Sequence, residues 1–137
     1  MQWRGFFAIA GLLLCCGTIA GRAAPDSSGG QMALDWLAYA DSGNAETSWT
    51  AAGSMFHNHG TKESWSQALS ALRSEFGELK SRTKASEEAK TNFPGAPDGQ
   101  YLVETFNSTF QNKGSAVETV ILAQEKDGWK VEGYFIR

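Results

Sequence analysis

Apolar residues recur at helical spacing from Gln31 onward. Ala33, Trp36, Leu37 and Ala40 share a face, and Gly43 follows as a residue suited to the left-handed position that ends helices. This predicts a first helix over 31–42. Asn44 is a good N-cap, Glu46 stands where the helix dipole favours negative charge, and Trp49, Ala52, Gly53 and Phe56 repeat on one side, predicting a second helix over 45–56. The residues His57-Asn58-His59-Gly60 read as a connector. Thr61 then caps the strongest stripe of the chain, Trp65, Leu69, Leu72 and Phe76, which Gly77 terminates.

Beyond Gly77 the period changes. Residues 79–90 are polar and alternate in charge, which predicts an edge strand whose Glu87-Glu88 pair resists further pairing. Phe93-Pro94-Gly95-Ala96-Pro97-Asp98-Gly99 is a turn cluster, and three strands follow over 100–111, 116–125 and 128–136, joined by short turns as consecutive hairpins. Strict alternation in the last strand sends Trp129, Val131, Gly133 and Phe135 one way and Lys130, Glu132, Tyr134 and Ile136 the other. The expected fold is α+β, with three N-terminal helices packed on a curved antiparallel sheet of three or four strands. Both strand faces carry apolar groups, so one face is left to meet a homodimer mate or a protein partner.

The N-terminus changes the picture of where this domain works. Arg4, the apolar stretch from Phe6 to Ile19 and the small residues Ala20, Gly21, Ala23 and Ala24 have the form of a secretory signal peptide over 1–23. A short linker over 24–30 and a single domain over 31–137 complete the expected organisation. The apolar stretch is shorter than the ~20 residues of a spanning helix, so no stable membrane span is expected after cleavage. Leu14 before Cys15 is a poor lipidation context, which leaves lipoprotein and signal-anchored forms as lesser alternatives to a free, exported, periplasmic protein. Both cysteines fall inside the leader, so the remaining domain must be held by its apolar core. Twelve basic against fifteen acidic residues provide no footprint for nucleic acid, and an aromatic content of 12% excludes a disordered chain.

Candidate chemistry is sparse. His57 and His59 have the spacing of zinc ligands on an extended segment, but no third ligand is evident, so no metal is expected. Asp35, Tyr39 and Asp41 are the candidates for acid–base work in a pocket. No nucleophile elbow, phosphate-binding glycine loop or cysteine nucleophile is present, and no cofactor is implied. Arg73 and Arg82 read as ion-pair formers with Glu75, Glu78 or Glu118. Trp36, Tyr39, Trp49, Trp65, Phe106 and Tyr134 are the candidate lining of a cleft between helices and sheet, since aromatics offer flat apolar surfaces to a guest.

Trp36-Leu37 with Gly43, Ser48-Trp49, Trp65 with Leu69 and Arg73, the run Pro94 to Tyr101, the strand Val117-Glu118-Thr119-Val120 and the tail Asp127 to Arg137 occur in one order and spacing. Together they resemble a bacterial family known as domain of unknown function 4019, over nearly all of the chain after the leader. The resemblance implies a small exported domain with the cystatin-like roll shared by nuclear transport factor 2-like proteins, and no established activity. His57 and His59 fall outside its motifs. The leading expectation is a non-enzymatic interaction module using its sheet face. The alternatives are a binder of small apolar ligands in the cleft, and an isomerase-like enzyme on the same roll.

Overall fold

The computed structural model describes residues 27–137; the signal peptide expected over 1–23 and the start of the linker lie outside the described residues. Helices α1 (Ser27–Asp41), α2 (Ala45–Ala51), α3 (Ser54–Asn58) and α4 (Lys62–Phe76) precede strands β1 (Leu79–Lys90), β2 (Tyr101–Phe110), β3 (Lys113–Glu125) and β4 (Gly128–Ile136). The strands form one antiparallel meander in the order β1-β2-β3-β4. Among the described residues, no helix is long and apolar enough to cross a membrane.

Helix α1 starts at Ser27, so residues 27–30 are helical where a linker was expected. The two glycines that suggest a linker serve close packing instead. A Cβ on Gly29 would collide with Leu102, and one on Gly30 would lie 3.1 Å from Glu104 Oε1, so side-chain-free residues let the first turns rest on β2. Downstream, Ala33, Trp36, Leu37 and Ala40 are wholly buried against Leu102, Phe106, Val120, Leu122, Trp129 and Val131. Each large apolar side chain in such a core contributes roughly 1.5–3 kcal/mol of burial. Phe76, Phe110 and Ala116 form a second cluster, joined by Leu72 and Ile136.

The helix expected over 45–56 is two helices. Asn44 caps α2 through Thr47 N–H at 3.0 Å, as its side chain suggests. Ala52 then turns extended, with ψ at 163°, and bridges Val131 in the parallel sense, while Gly53 N–H donates to Val131 O at 2.8 Å. A long-range contact with the sheet thus outcompetes the helical ladder. A Cβ on Gly53 would fall 2.0 Å from Glu132 Oε1, so a larger residue must displace that buried carboxylate. Gly53→Ala is therefore expected to cost about 1–3 kcal/mol through overpacking, read as a lower urea midpoint at unchanged slope. His57 and Asn58 close α3 rather than forming a connector. Thr61 and Ser64 form a reciprocal capping box at the start of α4, and Gly77, at φ 74°, closes it.

The polar segment 79–90 is a strand over those same residues, and β3 begins three residues earlier than its apolar pattern suggests. The alternation expected for β4 is overturned. Leu122 pairs with Val131 and Ile121 with Gly133, so Glu132 is an extra residue and the strand changes parity across it. Tyr134 and Ile136 consequently join Trp129 and Val131 on the helix side, while Phe135 points outward and is 60% exposed.

Candidate functional site

The helix layer ends over β4 in an aromatic cluster organised by one serine. Ser48, fully buried in α2, accepts Trp36 Nε1–H at its carbonyl (2.8 Å) and Trp65 Nε1–H at its hydroxyl (2.9 Å). Its own hydroxyl donates to Asn44 O at 2.7 Å. The two indoles are thereby fixed with centroids 5.6 Å apart, and Phe56 meets Trp36, Trp49 and Trp65 edge-on at 5.8, 5.8 and 5.1 Å. Tyr134 completes the cluster 5.4 Å from Trp36.

Above these rings lies a cleft of about 690 Å³ that crosses the edge strand β4. One wall comes from the helix layer: Trp49, Met55, Phe56, Trp65 and Ala68. The other comes from Ile121 and Phe135 on the outer sheet face and from the loop residues Phe93 to Ala96 with Tyr101. The hydroxyl of Tyr101 donates to Pro97 O, and its ring meets Phe93 at 5.3 Å, which pins this loop to the sheet. Glu132, Gly133, Tyr134 and Phe135, four consecutive residues of β4, run through the cleft.

His59, Ser64 and Glu132 are the polar side chains on a lining that is otherwise mainly apolar, and Glu132 is the buried one. It is 7% exposed, its Oε2 accepts Phe56 N–H at 3.0 Å, and its Oε1 receives no hydrogen bond from a donor. Burial, reinforced by the adjacent Glu125 carboxylate, raises its pKa to about 7. Glu125 is held low, at about 2, by a proton shared from Glu132 and by the N–H and hydroxyl of Ser54 at 2.9 and 2.7 Å. The two acids lie near enough that the titration of each affects the other.

Of the six residues expected to line a cleft, Trp49, Trp65 and Tyr134 do so. Trp36 and Phe106 are buried in the core, and Tyr39 is an exposed residue of α1. Asp35 is exposed and accepts Gln31 Nε2–H, whereas Asp41 is paired with Arg82 and Arg73, so neither is a base poised in a pocket. His57 Nε2–H donates to Trp49 O and His59 Nδ1–H to Met55 O, each within its own turn or the preceding helix. Among the described residues, no three metal-binding side chains converge. Glu132 escapes a reading by residue type, because a single glutamate within a strand of alternating polarity reads as a solvated position. The signal that could have found it is the conflict of parity between Trp129 and Val131 on one side and Tyr134 and Ile136 on the other.

A second buried carboxylate is structural. Glu118, with no exposure, receives Arg82 Nε and Nη2 at 2.7 and 2.9 Å, Ser108 Oγ at 2.5 Å and the Tyr134 hydroxyl at 2.6 Å. Burial alone would raise its pKa, but these donors outweigh burial and hold it below the usual carboxylate range. The pairing of Arg82 with Glu118 is one of those the sequence suggests.

No curated protein matches the chain. A solved structure of Bdellovibrio bacteriovorus Bd1075 is similar in fold, with a TM-score of 0.51 at 13% identity, over 78% of this chain and 38% of that one. The chain thus spans well under half the length of that neighbour. The model of a family described as "Protein of unknown function (DUF4019)" matches residues 32–134, which include α2, α3, the bulge at Glu132 and the aromatic cluster. The chain belongs to the DUF4019 family.

Proposed function

We infer that the protein is a binding module that holds an apolar ligand in the cleft over β4. The observation that carries this is the cleft itself, whose size falls within the ~300–1,000 Å³ of small-ligand sites and whose largely apolar, aromatic-rich walls carry a few polar groups, His59, Ser64 and Glu132. Helices covering one face of a four-stranded meander support the finer reading of a cystatin-like roll. Export to the periplasm, suggested by the leader-like N-terminus, belongs to the same proposal.

The neutral dye N-phenyl-1-naphthylamine tests it. The protein is expected to enhance the dye's fluorescence and to lose emission from Trp49 and Trp65. Gly133→Leu should weaken dye binding by at least about tenfold without lowering stability, because a Cβ there meets Phe135 and Ile121 at ordinary contact distances of 3.4 and 3.6 Å and its extension fills the cleft. Absence of enhancement, or equal binding by the variant, sinks the reading.

A second reading is favoured by Phe135, which is 60% exposed beside the half-buried outer-face residues Val103, Val117 and Ile121. These support a contact between sheet faces, with a second copy or another protein. A strictly monomeric mass by light scattering across micromolar concentrations, with no partner recovered by cross-linking, counts against it.

A further inference from the structure

The cleft contains something a pocket for a small apolar molecule does not require, an open strand edge. Val117 and Arg137 exchange both main-chain hydrogen bonds, at 2.8 and 3.1 Å. Antiparallel alternation then makes Thr119 with Phe135 and Ile121 with Gly133 the next bonded pairs, and turns the N–H and C=O groups of Tyr134 and Ile136 away from β3. Because β4 is the last strand of the sheet among the described residues, those groups face an edge that none of the described strands covers. At the near end the edge is already used, since Gly53 N–H occupies Val131 O and Ala52 bridges Val131 as a strand would. The protein's own chain thus pairs with this edge and stops at the bulge, where the cleft begins.

The walls have the matching form. An added strand sends alternate side chains to opposite faces, and the cleft offers an apolar surface on each: Phe56 and Trp65 on the helix side, Ile121 and Phe135 on the outer side. Where the self-pairing ends stands Glu132, one oxygen fixed by Phe56 N–H and the other without a donor, with Glu125 beside it. Two acids at the end of an apolar groove complement a cation.

We propose that the occupant of the cleft is an extended peptide segment that adds to the edge of β4 beyond Val131, with apolar side chains on both faces and a lysine or arginine that meets Glu132. The proposal rests on the cleft-binding reading above and names its ligand class. A segment of about five residues, the length of an ordinary strand, suffices.

The probe is a blocked pentapeptide, valine-threonine-lysine-valine-threonine, titrated to millimolar concentration into isotopically labelled protein. Binding is expected to shift the indole signals of Trp49 and Trp65 and to slow amide exchange at Tyr134 and Ile136. A peptide N-methylated at alternate residues, in either register, should bind at least about tenfold more weakly, as should one with glutamate in place of lysine. Glu132→Gln, which keeps an acceptor for Phe56 N–H, should remove the preference for lysine over glutamate without unfolding the protein. Equal binding of the N-methylated peptides, or no binding by the parent peptide, overturns the proposal. If the neutral dye still binds while the peptide does not, the cleft reading survives alone; if neither binds, both fall.

Discussion

Arg82→Met is expected to destabilise the protein by about 3–5 kcal/mol, a large share of the ~5–15 kcal/mol that holds a domain of this size. The guanidinium is 9% exposed and makes four short contacts, two with Glu118 and two with Asp41 at 2.7 and 2.9 Å. Without it, Glu118 is an anion with no exposure, kept only by the hydroxyls of Ser108 and Tyr134. Arg82 also ties β1, whose residues are mostly exposed, to β3 and to the end of α1.

The double variant Arg82→Met with Glu118→Leu should regain much of the loss, because removing both charges avoids a buried unpaired one. The pH response supplies an independent check. In the native protein Glu118 has a lowered pKa, so its contribution is present above its unfolded value and fades as pH falls. In Arg82→Met its pKa rises and the sign of its own contribution reverses, so the single variant should lose more stability between pH 5 and pH 8 than the native protein does. Urea midpoints of the three proteins at both pH values decide the matter; a loss under about 1 kcal/mol for the single variant refutes the account.

The ends of the helices were legible wherever local chemistry sets them. Asn44, Thr61 and Gly77 act through their own side chains or backbone within one turn, and the structure places boundaries at each. The meander was legible for the same reason, since Lys126-Asp127-Gly128 and the proline-glycine cluster turn the chain locally. What local pattern could not convey is competition from far along the chain. Ala52 lies on a helical stripe, yet its backbone is taken by Val131, and Gly29 reads as a linker residue until Leu102 is seen to occupy its Cβ position.

The candidate site was half legible for a related reason. Aromatic residues announce burial, but they do not say which rings form the floor and which the wall. Trp36 and Trp65 share Ser48 as their hydrogen-bond anchor, yet one is sealed in the core and the other lines the cleft. Glu132 was hidden because its burial follows from a one-residue bulge. Its parity makes it look like a solvated partner of Lys130, whereas the inserted residue turns it toward α3.

That bulge gives the second large effect. Through Glu132 native stability should fall by up to about 3 kcal/mol as pH rises from 5 to 8, and Glu132→Gln should make the fall clearly shallower. The sign follows from the direction of the shift. Glu132 has a folded pKa of about 7 against an ordinary 4.5, so the folded state binds the extra proton and is favoured below 4.5, and that advantage is lost as pH climbs through 7. Glu125, held at about 2, acts in the opposite sense, but its loss comes only as pH falls below 4.5. Between pH 5 and 8 the proton held on Glu132 therefore gives a falling slope, in the same sense as buried Glu104, whose pKa burial also raises. Thermal melts of both proteins across this range, with the Glu132 carboxyl carbon followed by NMR, measure it. A native protein whose stability is flat or rising over the interval contradicts the raised Glu132 pKa. A bound lysine would add positive charge beside Glu132 to that of Lys130 near Glu125, lower the Glu132 pKa and flatten the native slope, so the same titration repeated with the pentapeptide links the chemistry of the two acids to the occupant of the cleft.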